Sequence, residues 1–500
     1  MTTTQEPRTA TPLPTRDRGI IVTLLVAAFV MILNETIMGV ALPRLMGDLH
    51  ISPRTVQWLT TAFMLTMAVV IPTTGFLLQR ISTRTVFRLA MGLFCTGTLL
   101  AAVSPGFWLL LPARVIQASG TAVMIPLLMT TVLTLVPIER RGAVMGNISI
   151  VISVAPAIGP TISGLILQFL SWRFMFVLVL PIALAALVYG SRRLVNIGEP
   201  GRQKLDVLSV LLSVPAFGGI VYGLSQLGQG SSGPGLALTF VGVGVLCLLL
   251  FGWRQRRLAR QLTGSPLLDL RAFTYPMFSL SVALLCLAML ALFGVVILLP
   301  IYLQTVHGVA SLTTGLMLLP GGLLMGLLGP TVGKIFDRYG PRALSVLGAA
   351  LLSFTMWRFS QIDAHTPIWL LVVLHVTMSI GLACLFTPAF TTGLNPLPPY
   401  LYSHGSAILT TLQQVAGAAG TAMLIAIMSA RAASLAASGV PQPAALNGGI
   451  SSAFGVAAVI SLAAIVAAFF MHNPKPTGDG PAEPAFDDHR VVVDDVAPTA

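Results

Sequence analysis

Charge is scarce in this chain. Only 9% of its 500 residues are Asp, Glu, Lys or Arg, whereas a soluble domain carries about a quarter. With 55% hydrophobic residues, that scarcity excludes a soluble fold for most of the length and makes the lipid bilayer its solvent. Cysteine is scarce too. Cys95, Cys247, Cys286 and Cys384 all fall within apolar stretches, so they read as small packing residues and not as a disulfide framework. An ATP engine is missing as well: Gly329–Pro–Thr–Val–Gly333–Lys334 has one residue too few between its glycines, and Ile335 stands where a phosphate loop needs Ser or Thr. With no metal-ligand cluster and no nucleophile–base spacing, neither an enzyme nor a cofactor is expected. Scarcest of all is an acid inside an apolar segment. Glu35 is the only one, and an ionised carboxylate at bilayer depth costs on the order of 3 kcal/mol.

What is present is a succession of apolar runs, each near the ~20 residues that a membrane-spanning helix needs. They fall at 19–41, 55–79, 85–104, 108–131, 143–168, 173–190, 207–225, 235–253, 277–303, 311–333, 343–361, 367–389, 404–429 and 450–471. The first run has no small-residue cleavage site after it and reads as a retained span, not a signal peptide. An even number of spans puts both termini on one side. Of the 28 Lys and Arg residues, 22 lie in the termini and in one set of loops, against Arg44, Arg54, Arg173, Arg358 and Arg431 on the other side and Arg114 within a span. This asymmetry makes the termini cytoplasmic. The net charge of +12 is therefore an orientation signal and not a nucleic-acid footprint. The preference for arginine over lysine fits a GC-rich bacterial genome.

Three echoes suggest an internal duplication. Gly75–Phe–Leu–Leu–Gln–Arg80 matches Gly333–Lys–Ile–Phe–Asp–Arg338 at an offset of 258, and Ala–Leu–Pro43 matches Leu–Leu–Pro300 at 257. Gly120–Thr–Ala122 with Thr130–Thr131 matches Gly381–Leu–Ala383 with Thr391–Thr392 at 261. The layout expected from this is a tail (1–18), a six-helix bundle (19–190), a linker with two extra helices (191–272), a second six-helix bundle (273–471) and a disordered acidic tail (472–500). The segment 432–448 is expected to be an external loop. Repeated halves are the architecture of alternating-access carriers, with the site near mid-membrane between them.

Several segments resemble the major facilitator superfamily, and within it the fourteen-helix drug:proton antiporters of the EmrB/QacA type. Leu33–Asn–Glu–Thr–Ile–Met–Gly–Val–Ala–Leu–Pro43 is similar to that family's first-helix motif, with Asn34 in place of the usual Asp and the carboxylate moved to Glu35. The loop after the second span resembles the superfamily signature G-x-L-x-D-R-x-G-R-R/K, but Gln79 replaces Asp and Ser82 replaces Gly. The loop after the tenth span keeps more of it, as Gly333, Asp337, Arg338, Gly340 and Arg342. Arg114–Val–Ile–Gln117 resembles the fourth-helix R-x-x-Q motif. Gly146, Ala155, Gly159–Pro160 and Ser163–Gly164 resemble the fifth-helix antiporter motif, which accompanies exporters. The resemblance implies an all-α membrane fold of 14 helices arranged 6+2+6 with two pseudo-symmetric halves.

Two readings stand for each site residue. Glu35 binds a proton or a cationic substrate, or it is a structural acid paired to a base. Asn34 lies about 100° away on the helix and would supply a neutral hydrogen bond. Arg114 cannot discharge and needs a partner. It tunes the protonation of Glu35, as the resemblance implies, or fixes the fourth helix, and Gln117 one turn on could share its network. His375, at the repeat position of Arg114, offers a second proton or substrate contact or is a packing residue. Met38 is a candidate for an adaptable apolar pocket. Ala155, Gly159 and Ser163 recur every four residues and could seal the two halves, with Pro160 bending the helix. Asp337, Arg338 and, more weakly, Arg80 are candidates for gating contacts or a solvated turn. Asp337 would act at the N-terminus of the span that follows it.

The function expected is proton-coupled antiport that exports small lipophilic, often cationic, drugs or toxic metabolites across the cytoplasmic membrane. A proton-coupled nutrient importer and a non-transporting receptor or scaffold of the same fold are the alternatives. The expected partners are the small-molecule substrate, protons and the lipid bilayer, with the chain acting as a monomer and with no nucleic acid.

Overall fold

The computed structural model describes residues 14–194, 196, 206–229, 234–261 and 266–472, and among these every regular element is helical. In chain order the helices are α1 Thr15–Leu49, α2 Pro53–Arg80, α3 Thr83–Ala102, α4 Phe107–Leu135, α5 Arg141–Phe169 and α6 Arg173–Arg193. Helix α7 starts as Val207–Ser213, widens through a π-helical turn at Val214–Gly218 around Pro215, and continues as Gly219–Gln229. Then follow α8 Pro234–Ala259, α9 Pro276–Thr305, α10 Ser311–Tyr339, α11 Pro341–Phe359, α12 Ile368–Leu394, α13 Tyr402–Ala437 and α14 Gln442–Phe469. Thirteen helices among the described residues are long and apolar enough to cross a membrane. Helix α11, with Arg342 and Arg358 near its two ends, is not one of them.

The helices begin and end where local chemistry dictates. Ser52 and Ser82 accept the Thr55 and Thr85 amides and cap α2 and α3. Proline at the first positions of α2, α9, α11 and α14 costs no hydrogen bond there. Gly340, at φ 81°, makes the sharp turn between α10 and α11, a conformation that side chains with a Cβ resist. The segment 432–448, expected as an external loop, is largely helical: α13 runs to Ala437 and α14 restarts at Gln442. The alanine-rich run favours helix, and the left-handed Gly439 turns the chain between the two. The expected tails lie almost wholly outside the described residues.

The packing repeats. In the first six helices α1 packs on α4, α5 and α6, while α4 packs on α2 and α3, and α3 on α6. In the last six, α9 packs on α12, α13 and α14, while α12 packs on α10 and α11, and α11 on α14. Each contact of the first set has its counterpart in the second, as the echoes in the sequence require. Two long seams join the sets: α5 with α10, and α13 with α2. Helices α7 and α8 pack on each other, and α7 leans against α2 and α13, beside the second seam.

The α5–α10 seam is a line of glycines. A Cβ on Gly146 would overlap the Gly329 carbonyl, and one on Gly333 would overlap that of Gly142. Without side chains the two backbones touch, which is how membrane helices gain van der Waals contact. Gly146→Val is therefore expected to lower stability by about 1–3 kcal/mol, the usual cost of overpacking. Gly92→Ala, where an added Cβ meets nothing within 4 Å, is expected to be neutral or stabilising. Thermal melting of the detergent-solubilised protein checks both, and a Gly146→Val protein melting like the wild type would refute the close-contact reading.

Candidate functional site

The centre of the first six helices holds a buried guanidinium. Arg114 on α4 is 1% exposed, yet it forms no direct ion pair among the described residues. Its Nη1 donates to Asn34 Oδ1 at 3.1 Å and to Gln117 Oε1 at 2.5 Å. Gln117 Nε2 in turn donates to Thr98 Oγ1 at 2.7 Å, tying α3 to α4. The guanidinium carbon sits 4.2 Å from the centre of the Phe63 ring on α2, and a desolvated cation–π contact is worth about 2 kcal/mol. Four helices thus converge on one charge. Arg114 Nε and Asn34 Nδ2 are buried donors with no hydrogen-bond partner.

Glu35 lies beside this network. Asn34 turns toward α4, and Thr36 turns toward α5, where its hydroxyl fills the space above Gly159. Glu35 leaves α1 between those two directions, about 100° from each. It is half-buried, pairs directly with no base among the described residues, and lies within electrostatic reach of Arg114. Asn34 and Gln117 are fully buried around Arg114, and Met38 is fully buried in the apolar core. His375 stands apart on α12, its Nε2 3.2 Å from the Leu318 carbonyl of α10 and its ring against Gly321. It bridges two helices of the second set and does not meet Arg114 or Glu35 in any hydrogen bond.

One end of the bundle carries the arginine-rich turns α2–α3, α4–α5 and α10–α11, and here both seams are closed. Asp337 Oδ1 and Oδ2 accept the Gly142 and Ala143 amides at 2.9 Å each. The helix that Asp337 serves is thus α5, across the seam, and not the following α11 as the order of the sequence suggests. Gly340 turns α11 away, and an acid in the last turn of α10, disfavoured by its own helix, is favoured by the N-terminus of α5. Arg338 is exposed and rests 5.2 Å from the Tyr339 ring. Arg80 is exposed near Phe76. Gln79, at the repeat position of Asp337, reverses the polarity: its Nε2 donates to the Tyr400 carbonyl at 2.6 Å. At the same seam an added Cβ on Gly75 would stand 2.8 Å from His404 Nδ1.

The face of Ala155, Gly159 and Ser163 does not join the two sets. Gly159 meets Thr36 of α1, and the Ser163 hydroxyl donates to Met175 Sδ of α6 at 3.3 Å. Pro160, near Gly315, and Gly164, near Leu312, look toward α10 instead. The seam uses the other small residues of α5, Gly142 and Gly146, because they lie on the face turned to α10.

Sequence reasoning missed Arg141. It is 6% exposed and joins both sets. Its Nε and Nη2 donate to the Val136 and Leu133 carbonyls at 3.0 and 2.5 Å, satisfying the end of α4. Across the seam Nη2 reaches the Tyr402 hydroxyl and Nη1 reaches Asn395 Oδ1, both at 3.2 Å. Ser149 and Thr387 hydroxyls add a hydrogen bond of 2.8 Å between α5 and α12. A signal existed: the 261-residue offset that pairs Gly120 with Gly381 also pairs Arg141 with Tyr402.

Two similarly packed six-helix sets, a buried charge inside a membrane-length helix and seams pinned at one end make this the class of bundle that carries solutes through membranes. The family model "Major Facilitator Superfamily" matches residues 24–421. The chain belongs to that superfamily, and it is a multi-pass membrane transporter and not an enzyme. It is 42% identical over 468 residues to the MFS-type transporter YcnB of Bacillus subtilis, covering 93% of this chain and 98% of that one. It is 40% identical over 465 residues to the lincomycin resistance protein LmrB of the same organism, covering 91% and 96%. The human organic anion transporter MFSD10 has the same fold, with a TM-score of 0.65 at 15% identity, over 91% of this chain and all of that one.

Removing the Asp337 acceptor leaves two amides at the start of α5 unpaired. Asp337→Ala is expected to speed hydrogen–deuterium exchange at Gly142 and Ala143, with a loss of about 1.5–3 kcal/mol. Unchanged exchange there would show that Asp337 does not hold the seam.

Proposed function

We propose that the chain is a proton-coupled exporter of lipophilic, cationic or otherwise toxic small molecules, lincomycin being the first substrate to test. It works by alternating access in the cytoplasmic membrane with both termini inside. In this reading the helices form fourteen spans as 6+2+6, the division between bundles falling at 190 and 273. The arginine-rich end faces the cytoplasm and is closed, so Glu35 is addressed from the outside. The relative named for lincomycin resistance supports efflux.

The observation that supports the proton role is that, among the described residues, no base pairs directly with Glu35 beside a guanidinium already held by neutral oxygens. Arg114 is solvated by Asn34 and Gln117 whether Glu35 is charged or not. Protonation of Glu35 therefore changes the net charge of the site without breaking its scaffold. A proton from outside neutralises the carboxylate and releases a bound cation. The protonated carrier, left with the charge of Arg114, then returns. One-for-one exchange with a monovalent cation moves no net charge and is driven by the pH difference, while a neutral cargo also draws on the membrane potential, about 2.3 kcal/mol per charge per 100 mV. The roles of the other residues divide by position. Asn34 and Gln117 position Arg114, and the two unfilled donors, Arg114 Nε and Asn34 Nδ2, serve Glu35 or the substrate. Asp337, with Gly142 across the seam, gates the cytoplasmic end.

Everted membrane vesicles test the reading. Lincomycin is expected to discharge an imposed proton gradient with the wild type and not with Glu35→Gln, which keeps the shape and loses the titration. Acidification is expected to weaken wild-type lincomycin binding by roughly 5–150-fold, the usual size of a coupling between two sites, and to leave Glu35→Gln binding unchanged. Full proton-coupled export by Glu35→Gln would remove Glu35 from the mechanism.

A further inference from the structure

The two extra helices carry a buried polar chain that ends on the α2–α13 seam. Asp206 caps α7 by accepting the Ser209 amide at 3.1 Å and the Ser209 hydroxyl. Arg254, near the end of α8, grips its carboxylate with two bonds of 2.7 and 2.6 Å. That grip and the Ser209 bonds hold the Asp206 carboxyl down to about 2, so it stays ionised at any physiological pH. Gln255, next to Arg254 and fully buried, donates from Nε2 to Ser209 Oγ at 2.7 Å. Its Oε1 accepts the Leu267 and Leu268 amides at 2.7 and 3.2 Å. Nothing in the transport reading uses this chain.

The segment that Gln255 holds lies against the seam. Asp269, 2% exposed, pairs with Arg271 at 2.6 Å. The Arg271 guanidinium stands 5.6 Å from the Tyr400 ring, and Tyr400 is the residue whose carbonyl takes the Gln79 bond from α2. His404 of α13, which meets Gly75 of α2, has the Leu267 backbone and the charges of Asp269 and Arg271 within reach. One strap, residues 266–275, thus touches Tyr400 and His404, the residues through which the α13 side of the closed seam meets α2, and is anchored at its other side to α7 and α8.

We infer that Gln255 is a positioning residue: through the Leu267 and Leu268 amides it holds the 266–275 strap over the α2–α13 seam, so that the two extra helices bias the carrier toward the state closed at its arginine-rich end. The inference rests on the alternating-access reading for its meaning, but not for its measurement. A buried amide with both ends satisfied rigidifies what it joins, and one left half-satisfied is costly. Loss of Gln255 therefore frees the strap and weakens closure.

The test uses the full chain in nanodiscs, with its four cysteines replaced and spin labels at Thr85 and Pro399, exposed positions on opposite sides of the seam. The wild type is expected to give mainly the short distance. Gln255→Leu is expected to add a longer-distance population while its melting curve stays cooperative. Ser209→Ala, which keeps both amide bonds to Gln255 Oε1 and removes only the partner of its Nε2, is expected to keep the short distance dominant. Val243→Ala, on the exposed face of α8, is the control for a general effect of the extra helices. A Gln255→Leu distribution matching the wild type overturns the inference, as does an equal shift in Val243→Ala. Because the labels report without substrate, failure of lincomycin export would count against the efflux reading alone.

Discussion

A guanidinium that cannot lose its charge organises the first six helices. Arg114 must be solvated at a depth where water is scarce, and the chain meets that demand with neutral groups: two amide oxygens, an aromatic face and a hydroxyl one step further out. The choice of neutral partners matters more than their number. Had Asn34 been an acid, its charge would be cancelled by Arg114 and held there. With the acid displaced one position to Glu35, the scaffold and the titratable group are separate parts of one helix turn.

The same separation of tasks recurs at the seams. Glycines let α5 and α10 touch, which sets distance, while Asp337 and Arg141 decide which arrangement is bonded. Gln79 and Asp337 occupy equivalent places and act with opposite polarity, one donating to a carbonyl and one accepting amides. The degraded signature of the first half is thus not a lost contact. It is a weaker, neutral bond paired with a stronger, charged one, and the second seam has the strap of the extra helices beside it.

Much of the fold was legible because hydrophobic length is a local property. A run of ~20 apolar residues announces a span with no knowledge of its neighbours, and the short echoes announced the equivalence that the packing displays. Individual site residues were legible for a related reason: an acid, an arginine or a histidine inside such a run is costly and therefore informative. Pairings were less legible. Sequence order points Asp337 to the next helix, whereas it serves an amide 194 residues away. The spacing of Gly159 suits any close contact and does not name the partner. In the sequence Arg141 is one of the orientation arginines, since a loop arginine that orients and one that bonds look alike until the other side of the bond is known.

By itself, then, the chain determined its solvent, its helical class, its duplicated plan and the rarity of Glu35, for these follow from composition and one-dimensional spacing. Only the tertiary structure decided that Asn34 and not Glu35 holds Arg114, that the amides at the start of α5 are served by Asp337 from the opposite set of helices, and that Gln255 ties the extra helices to a seam. Those outcomes depend on which helix faces add up in three dimensions, where a rotation of 100° per residue separates a bonded side chain from a free one.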